Sequence, residues 1–426
     1  METLRYGDRG VFVSYLQLAL KRAGYSVGEL DGIFGTKTLD ALTAFQRENG
    51  LAPDGIAGKL TWTRLYPYLA GYTMHKARNG DTFYRLAEQY ETTVEAIQTA
   101  NPEVDPQNIP LGKSLVIPLA FDLVPENVPY SYALNTILID GLRARYPFLE
   151  EGLAGKSVMG KRLETVRIGR GEREVFYNAS HHANEWITSL VLMKYLEQYA
   201  AAYAADQEIY DMDARMLYDT VSLYVLPLVN PDGVDLVTGA LPTKDSYYKQ
   251  AEALSEYYPS IPFPEGWKAN ISGVDLNLGY PAGWEQAKKI KFAQGYTRPG
   301  PRDYVGSAPL AEPENRAVFS FTKEHDFALT LSYHTQGKVI YYKYLNFDPP
   351  RATEIARAFE KTSGYTAEET PYASGFAGYK DWFIQTYDLP GFTIEAGSGE
   401  SPLPLSQFPS IYKDNLGILT LGMALS

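Results

Sequence analysis

The stretch Ser180-His181-His182-Ala183-Asn184-Glu185-Trp186-Ile187 restricts the fold more than any other part of the chain. Ahead of it, Val175 to Ala179 reads as a buried strand, and behind it Thr188 to Ala200 reads as a helix. His182 and Glu185 lie three residues apart, so on a turn or a first helical turn both side chains can point the same way. A neutral imidazole and a carboxylate that converge in this manner can supply two of the three protein ligands of a catalytic zinc, with one position left for water. An isolated His-x-x-Glu pair also describes two surface polar residues near a helix start. Two later stretches tip the balance towards the metal. Phe327 to Tyr333 reads as a buried strand with His334 at its carboxyl end, and Gly391 to Ile394 as another with Glu395 at its carboxyl end. In an open α/β sheet, functional groups gather in the crevice at the carboxyl ends of the strands. His334 can complete a His-Glu-His set there, and Glu395 can act as a general base towards water.

A chain of 426 residues exceeds one ordinary hydrophobic core and predicts two or more domains. Its 45% hydrophobic and 21% charged residues describe a soluble globular protein. No apolar run approaches the roughly 18 residues that cross a membrane, so no membrane partner is expected. Met1 to Gly7 lacks the charged-then-apolar pattern of a signal peptide and reads as domain sequence. The expected location is cytoplasmic or spore- and wall-associated, or secreted if a signal has been removed. The absence of cysteine excludes disulfides and thiolate metal sites, so any zinc must be held by histidine and carboxylate. A net charge of −12, unbroken by any basic run, argues against nucleic acid as a partner. The 34 tyrosines suit carbohydrate or peptide grooves, and buried packing explains them equally well.

Residues 1–68 read as a small helical module. Val13, Leu16, Leu20 and Ala23 mark one helical face that stops at Gly24, and Leu39, Leu42 and Phe45 mark a second. Asp31-Gly32-Ile33-Phe34-Gly35 leads into that second helix, and Asp54-Gly55-Ile56-Ala57-Gly58 repeats the lead-in before Thr61-Trp62. The paired motif, with Leu16-Gln17 and Phe45-Gln46, resembles the peptidoglycan-binding domain found beside cell-wall hydrolases. Residues 72–119 read as β-α-α-β: a turn and cap at Asn79 to Phe83, a helical face of Leu86, Ala87 and Tyr90, a second at Val94, Ile97 and Ala100, a stop at Asn101-Pro102, and a closing strand Leu115 to Pro118. This outline resembles a LysM domain, which binds N-acetylglucosamine chains between two loops. The resemblance places the glycan at Gly80, Asp81, Thr82 and Phe83 on one loop and at Asn101, Pro102 and Ile109 on the other. Residues 120–129, with Pro118, Pro125 and Pro129 in or beside them, read as a linker.

From about residue 121 to the end, the series His182-x-x-Glu185-Trp186-Ile187, Asn230-Pro231-Asp232-Gly233, Gly273-Val274-Asp275-Leu276-Asn277, His334 and Thr393-Ile394-Glu395 resembles the zinc carboxypeptidase family in order and context. That implies an α/β catalytic domain over residues 130–426, a central mixed sheet flanked by helices that opens with a hairpin at Gly155 to Gly160. It implies one zinc per catalytic domain, held by His182, Glu185 and His334, with Glu395 as general base. Either member of the adjacent histidine pair has a workable spacing to Glu185; the family pattern selects His182 and leaves His181 to packing or support. Asp275 either caps a turn after Gly273 or, as in the family, accepts a hydrogen bond from the first zinc histidine and fixes its tautomer. Lys268 stands where the family carries an arginine that holds the oxyanion, a task a lysine can perform as a point charge; a solvated lysine is the other reading. Tyr372, ahead of Asp381-Trp382, resembles the family's mobile tyrosine. Asn230-Pro231-Asp232-Gly233 reads first as a turn.

The departure from the family is Leu278. Carboxypeptidases of the family follow the asparagine matching Asn277 with an arginine that clamps the substrate's terminal carboxylate bidentately. Leucine cannot, so dependence on a C-terminal carboxylate is not expected. Together with the wall-binding modules, this resembles the γ-D-glutamyl-L-diamino acid endopeptidase branch. That branch splits the γ-D-glutamyl bond to meso-diaminopimelate or lysine in bacterial stem peptides, and the resemblance implies a setting in sporulation. The expected partner is peptidoglycan: glycan strand through the LysM module, stem peptide through the catalytic domain. The alternatives are a carboxypeptidase trimming stem-peptide ends and a non-catalytic wall-binding adaptor.

Overall fold

Each Asp-Gly-Ile lead-in of the first module closes on a buried glutamine. Gln17, on the helix Val11–Arg22, donates from Nε2 to Asp31 Oδ1, Ile33 O and Thr38 Oγ1 at 2.8, 3.1 and 3.2 Å, and its Oε1 accepts from the Gly32 amide at 3.0 Å. Gln46, on Thr36–Glu48, repeats this with Asp54, Ile56 and Thr61 at 2.9, 3.0 and 3.3 Å and with the Gly55 amide at 3.0 Å. A side-chain amide carries both donors and an acceptor. One glutamine therefore satisfies a whole turn and sets where the next helix begins, Thr36–Glu48 in the first copy and Lys59–Ala70 in the second.

The computed structural model describes residues 1–426 as two units, one of Met1–Pro129 with Ala133–Glu150 and one of Tyr130–Tyr132 with Glu151–Ser426. Within the first, β1 (Tyr72–Lys76) and β2 (Ser114–Pro118) pair antiparallel and frame the helices Phe83–Gln89 and Val94–Ala100. Phe83, Leu86, Ile97, Leu115 and Ile117 form the core of this module. Asn101 is buried as well: its amide donates to Ile97 O and Val116 O at 2.7 Å each and accepts from the Val116 amide at 2.9 Å. Phe83 and Asn101 thus serve the interior, and Thr82 caps the first helix through the Arg85 amide at 3.2 Å. Asp81 pairs with His75 Nε2 at 2.8 Å and accepts from the Arg78 amide at 2.6 Å. Gly80 and Pro102 are exposed and Ile109 is half-buried.

The helix Tyr132–Arg145, which by sequence falls in the catalytic region, groups for nearly all its length with the N-terminal modules. Its polar side chains explain the placement. Asp140 accepts from the hydroxyls of Tyr66 and Tyr72 at 2.5 and 3.0 Å, and Arg145 donates to the carbonyls of Gly71, Leu119 and Phe121 at 2.9, 2.7 and 3.0 Å. Gly141 lets the backbones touch, since a Cβ there would lie 2.1 Å from Ala70 O.

The second unit is built on an eight-stranded mixed sheet. Its strands are β3 (Glu150–Lys156), β4 (Arg162–Ile168), β5 (Arg173–Ala179), β8 (Val221–Leu226), β9 (Phe327–His334), β10 (Val339–Tyr341), β11 (Thr366–Glu368) and β12 (Gly391–Glu395). The short pair β6 (Glu208–Ile209) and β7 (Met212–Asp213) lies apart from it. The order is β11-β10-β12-β9-β5-β8-β4-β3, with β8, β5, β9 and β12 mutually parallel and β4 and β10 antiparallel to their inner neighbours. Central strands read as unbroken apolar runs because helices cover both faces. Phe176 packs on Phe321, Phe327 and Tyr379, which puts the helices Pro313–Lys323 and Tyr379–Tyr387 on one face. Tyr177 points to the other face and donates to Leu419 O of Phe408–Ala424 at 2.7 Å, beside Ile187–Ala204. The four parallel strands present their carboxyl ends on one side, where the site forms.

Glu314, in the first turn of Pro313–Lys323, is fully buried; it accepts from the Val158 amide at 3.0 Å and from Asn270 Nδ2 at 3.3 Å. Burial pushes its carboxyl up from 4.5 to about 7. The folded chain therefore holds this proton more tightly than the unfolded one, and stability should fall as pH rises from about 4.5 to about 7 and stay lower above. Glu314→Gln should flatten that slope, read as the Tm difference between the two proteins across a pH series. In the first module, Gln46→Leu keeps the volume and strands the buried Gly55 amide. It should lower unfolding free energy by about 1–3 kcal/mol, measured by calorimetry of the first transition.

Candidate metal centre and catalytic cleft

β5 ends at Ala179, and the next residue, Ser180, has φ of 55°, a left-handed turn that swings the chain out of the sheet. A non-glycine residue keeps such backbone only where its surroundings hold it. Here the Ser180 amide donates to Thr188 Oγ1 at 3.2 Å and its hydroxyl bonds Ser189 Oγ at 2.7 Å. His182 and Glu185 follow on the turn and the single 3-10 turn Ala183–Glu185, just before the helix Ile187–Ala204. His334 and Glu395 end β9 and β12 side by side in parallel register, and Ala179 of β5 pairs with Tyr333. Strand ends thus gather groups that lie far apart in sequence, as the crevice rule predicts.

His182 Nδ1, His334 Nδ1 and the Glu185 carboxylate close a buried triangle. The two Nδ1 atoms are 3.0 Å apart, His334 Nδ1 is 3.0 Å from Glu185 Oε2, and His182 Nδ1 is 3.1 Å from Glu185 Oε1. On the far side of its ring His182 Nε2 lies 3.0 Å from Asp275 Oδ1, so a proton on Nε2 leaves Nδ1 with its lone pair. Two imidazole lone pairs and a carboxylate facing one another are satisfied by a cation between them. Ligand atoms about 2.0–2.1 Å from a tetrahedral zinc stand about 3.3 Å apart, close to the spacing found here. The residues fit zinc.

The surroundings keep this triangle in place and charged. Burial opposes ionisation of Glu185, but His182 and Lys268 hold its carboxyl well below the usual carboxylate range. Its Oε2 also accepts from the Thr335 amide at 3.2 Å. Lys268 Nζ is 3.3 Å from Glu185 Oε1; burial works against its charge, yet Glu185 and Asp275 keep it above the ordinary lysine value. Asp275 does both things its sequence context allows, capping the Asn277 amide at 3.1 Å and bonding His182. Glu395 lines the same cleft, and burial together with the Glu185 charge pushes it up to about 8. His181 is turned away: its Nε2 lies 3.0 Å from the Tyr280 hydroxyl, and burial drives its basicity well down.

Asn230-Pro231-Asp232-Gly233 is a helix start, not only a turn. Asn230 caps Pro231–Val237 through the Gly233 amide at 3.0 Å and donates to His181 O and Ala269 O at 3.1 and 3.0 Å. It thereby ties the loop of His182 to the segment of Lys268. Gly233 permits the approach, for a Cβ would lie 2.8 Å from both Ala183 Cβ and Ala269 O. Asn277 lines the cleft and accepts from the Tyr379 amide at 3.1 Å, whereas Leu278 is mostly buried in the apolar cluster around Tyr280 and Trp382. Tyr372 is not brought to the triangle: it is two-thirds exposed, edges against Phe376, accepts from Gln286 Nε2 at 3.1 Å and borders a neighbouring hollow. Sequence reading missed Thr335 and the pair Arg302-Asp303, and it took Asn230 first as part of a turn. Thr335, Arg302 and Asp303 carried no signal, whereas the Asn-Pro-Asp-Gly context of Asn230 was already part of the family resemblance.

Zinc analysis should find one ion per chain. His334→Ala should abolish it, and Asp275→Asn, which leaves the ligands in place, should weaken zinc affinity about 10–100-fold in a competition titration with a chelating dye.

The chain matches the profile of the zinc carboxypeptidase family over residues 136–417, of a peptidoglycan binding domain over 9–65, and of the LysM domain over 75–118. It is 40% identical over 307 residues to gamma-D-glutamyl-L-diamino acid endopeptidase 1 of Lysinibacillus sphaericus, covering 72% of this chain and 75% of that protein. It is 38% identical over 277 residues to the uncharacterized protein YqgT of Bacillus subtilis (strain 168), covering 64% and 72%. Among solved structures, bovine thrombin-activatable fibrinolysis inhibitor superimposes with a TM-score of 0.53 at 18% identity over 70% of this chain and 97% of that one, a likeness of fold alone. No helix is long and apolar enough to cross a membrane. The chain belongs to the zinc carboxypeptidase family, its metallopeptidase domain preceded by two modules of peptidoglycan-binding families.

Proposed function

We propose that this protein is a zinc-dependent peptidoglycan hydrolase that cleaves the γ-D-glutamyl–diamino acid bond of stem peptides. The observation that carries the reading is the complete buried triangle in a cleft whose Leu278 offers no charge to a C-terminal carboxylate. The 40% identity to an endopeptidase named for that bond supports the same choice.

His182, Glu185 and His334 would hold the ion, which supplies a Lewis acid for polarising a carbonyl and acidifying water. Asp275 keeps the His182 proton on Nε2, so Nδ1 stays a ligand. Glu395 takes the proton of the attacking water and passes it to the leaving amine. Lys268 Nζ stands as a fixed positive charge for the oxyanion. Tyr372 closes over bound substrate, a movement its exposed turn leaves free. The LysM module holds the glycan strand through the exposed parts of its two loops, which raises the local concentration of stem peptide.

A mass-spectrometric digest of defined muropeptides tests this directly: cleavage should fall between D-glutamate and the diamino acid. Amidating the C-terminal carboxylate of a stem tripeptide should change kcat/KM less than about threefold. Strict need for that carboxylate would make the protein a trimming carboxypeptidase, and inertness with zinc bound would make it an adaptor. Glu395→Gln should reduce turnover at least about a thousandfold while zinc content stays unchanged; retained activity would remove Glu395 from the role.

A further inference from the structure

We infer that Arg302 is the receptor for the free α-carboxylate of the D-glutamyl residue whose γ-carbonyl is attacked. The inference rests on the γ-D-glutamyl bond proposed above. Arg302 lies in the chain between two anchors to the catalytic groups. On one side the carbonyl of Pro301 accepts from the amides of Lys268 and Ala269 at 2.7 and 2.9 Å. On the other, the amide of Asp303 donates to Asp275 Oδ2 at 3.2 Å, on the same carboxylate that holds His182. The guanidinium is oriented by one edge only: Nε bonds Asp303 Oδ2 at 2.6 Å, and Asp303 Oδ1 is in turn held by Lys291 Nζ at 2.5 Å. Nη1 and Nη2 make no hydrogen bond within the protein, and the side chain is 44% exposed.

The cations that line the cleft are already engaged, and Arg302 stands beside them, next to the lining residue Asp303. Lys291 is on Asp303, Lys380 is buried on Asp381 Oδ1 and Lys343 O at 2.6 and 2.7 Å, and Lys268 faces Glu185. Arg302 alone keeps a planar pair of outward donors, the geometry that binds a carboxylate bidentately. The substrate supplies a matching anion. In a γ-linked D-glutamyl residue the α-carboxylate carbon is four bonds from the scissile carbonyl carbon, roughly 5 Å in extended form. A carbonyl set beside Lys268 therefore carries its carboxylate within reach of the neighbouring Arg302 segment. Leu278 removes the family's charge on one side of the scissile bond, and Arg302 adds one on the other.

The test compares two substrates, L-Ala-γ-D-Glu-diaminopimelate and the same peptide with the D-glutamyl α-carboxylate converted to carboxamide. The wild-type enzyme should favour the acid about 10–100-fold in kcat/KM, and Arg302→Ala should lose that factor on the acid while changing the amide little. Arg302→Gln, which keeps hydrogen bonding without charge, replaces the alanine variant if the latter unfolds, and Arg302→Lys should restore part of the preference. Equal losses on both peptides, or no preference in the wild type, would overturn the assignment. So would a preference that follows amidation of the diaminopimelate carboxylates. Cleavage by the wild type at a bond other than γ-glutamyl would refute the underlying substrate reading, a different and separately visible result.

Discussion

The carboxylate of Asp275 is the point from which the catalytic architecture hangs. One oxygen engages His182 and the amide of Asn277, and the other engages the amide of Asp303. A buried carboxylate with several charged or N–H partners stays ionised, and an ionised partner is what fixes a ligand imidazole in one tautomer. Burial opposes that charge, yet His182 and Lys268 hold the Asp275 carboxyl well below its ordinary range. The loop carrying the first histidine, the turn preceding Leu278 and the segment of Arg302 are thereby referred to one atom group.

Around that group the sheet supplies precision and the loops supply chemistry. Parallel register fixes His334 against Glu395 without help from either side chain. The His182 loop has no such lattice, and it is held instead by Ser180 in its left-handed turn, by the cap of Asn230 and by the close approach that Gly233 allows. Strain in Ser180 is tolerable because its amide and hydroxyl are both bonded within the helix start that follows.

What the sequence made legible was whatever depends on residue type at an element's end. His334 and Glu395 terminate apolar runs, and few alternatives exist for a histidine or glutamate stranded there. The choice between His181 and His182 was different. Spacing alone permits both on an α-helix, but the chain forms a 3-10 turn after an extended residue, and Tyr280 takes His181. The wall modules were readable because Asp-Gly-Ile recurs together with a helix glutamine, Gln17 in one copy and Gln46 in the other, although only the structure shows that each glutamine bonds its own turn. Asn101 and Phe83 sat in the expected loops, yet backbone satisfaction and core volume claim them first. Arg302 was invisible, since an arginine after a proline has no periodicity and acquires meaning only through what Pro301 and Asp303 bond.

The helix Tyr132–Arg145 bears on how the gene can be divided. A catalytic fragment begun at the proline-flanked segment before residue 130 would take with it a helix whose aspartate and arginine belong to Tyr66, Tyr72, Gly71, Leu119 and Phe121. The same cut would leave the wall-binding fragment with those hydroxyls and carbonyls bare. A cut that spares these bonds falls after the helix, near the first strand of the large sheet, and not at the prolines.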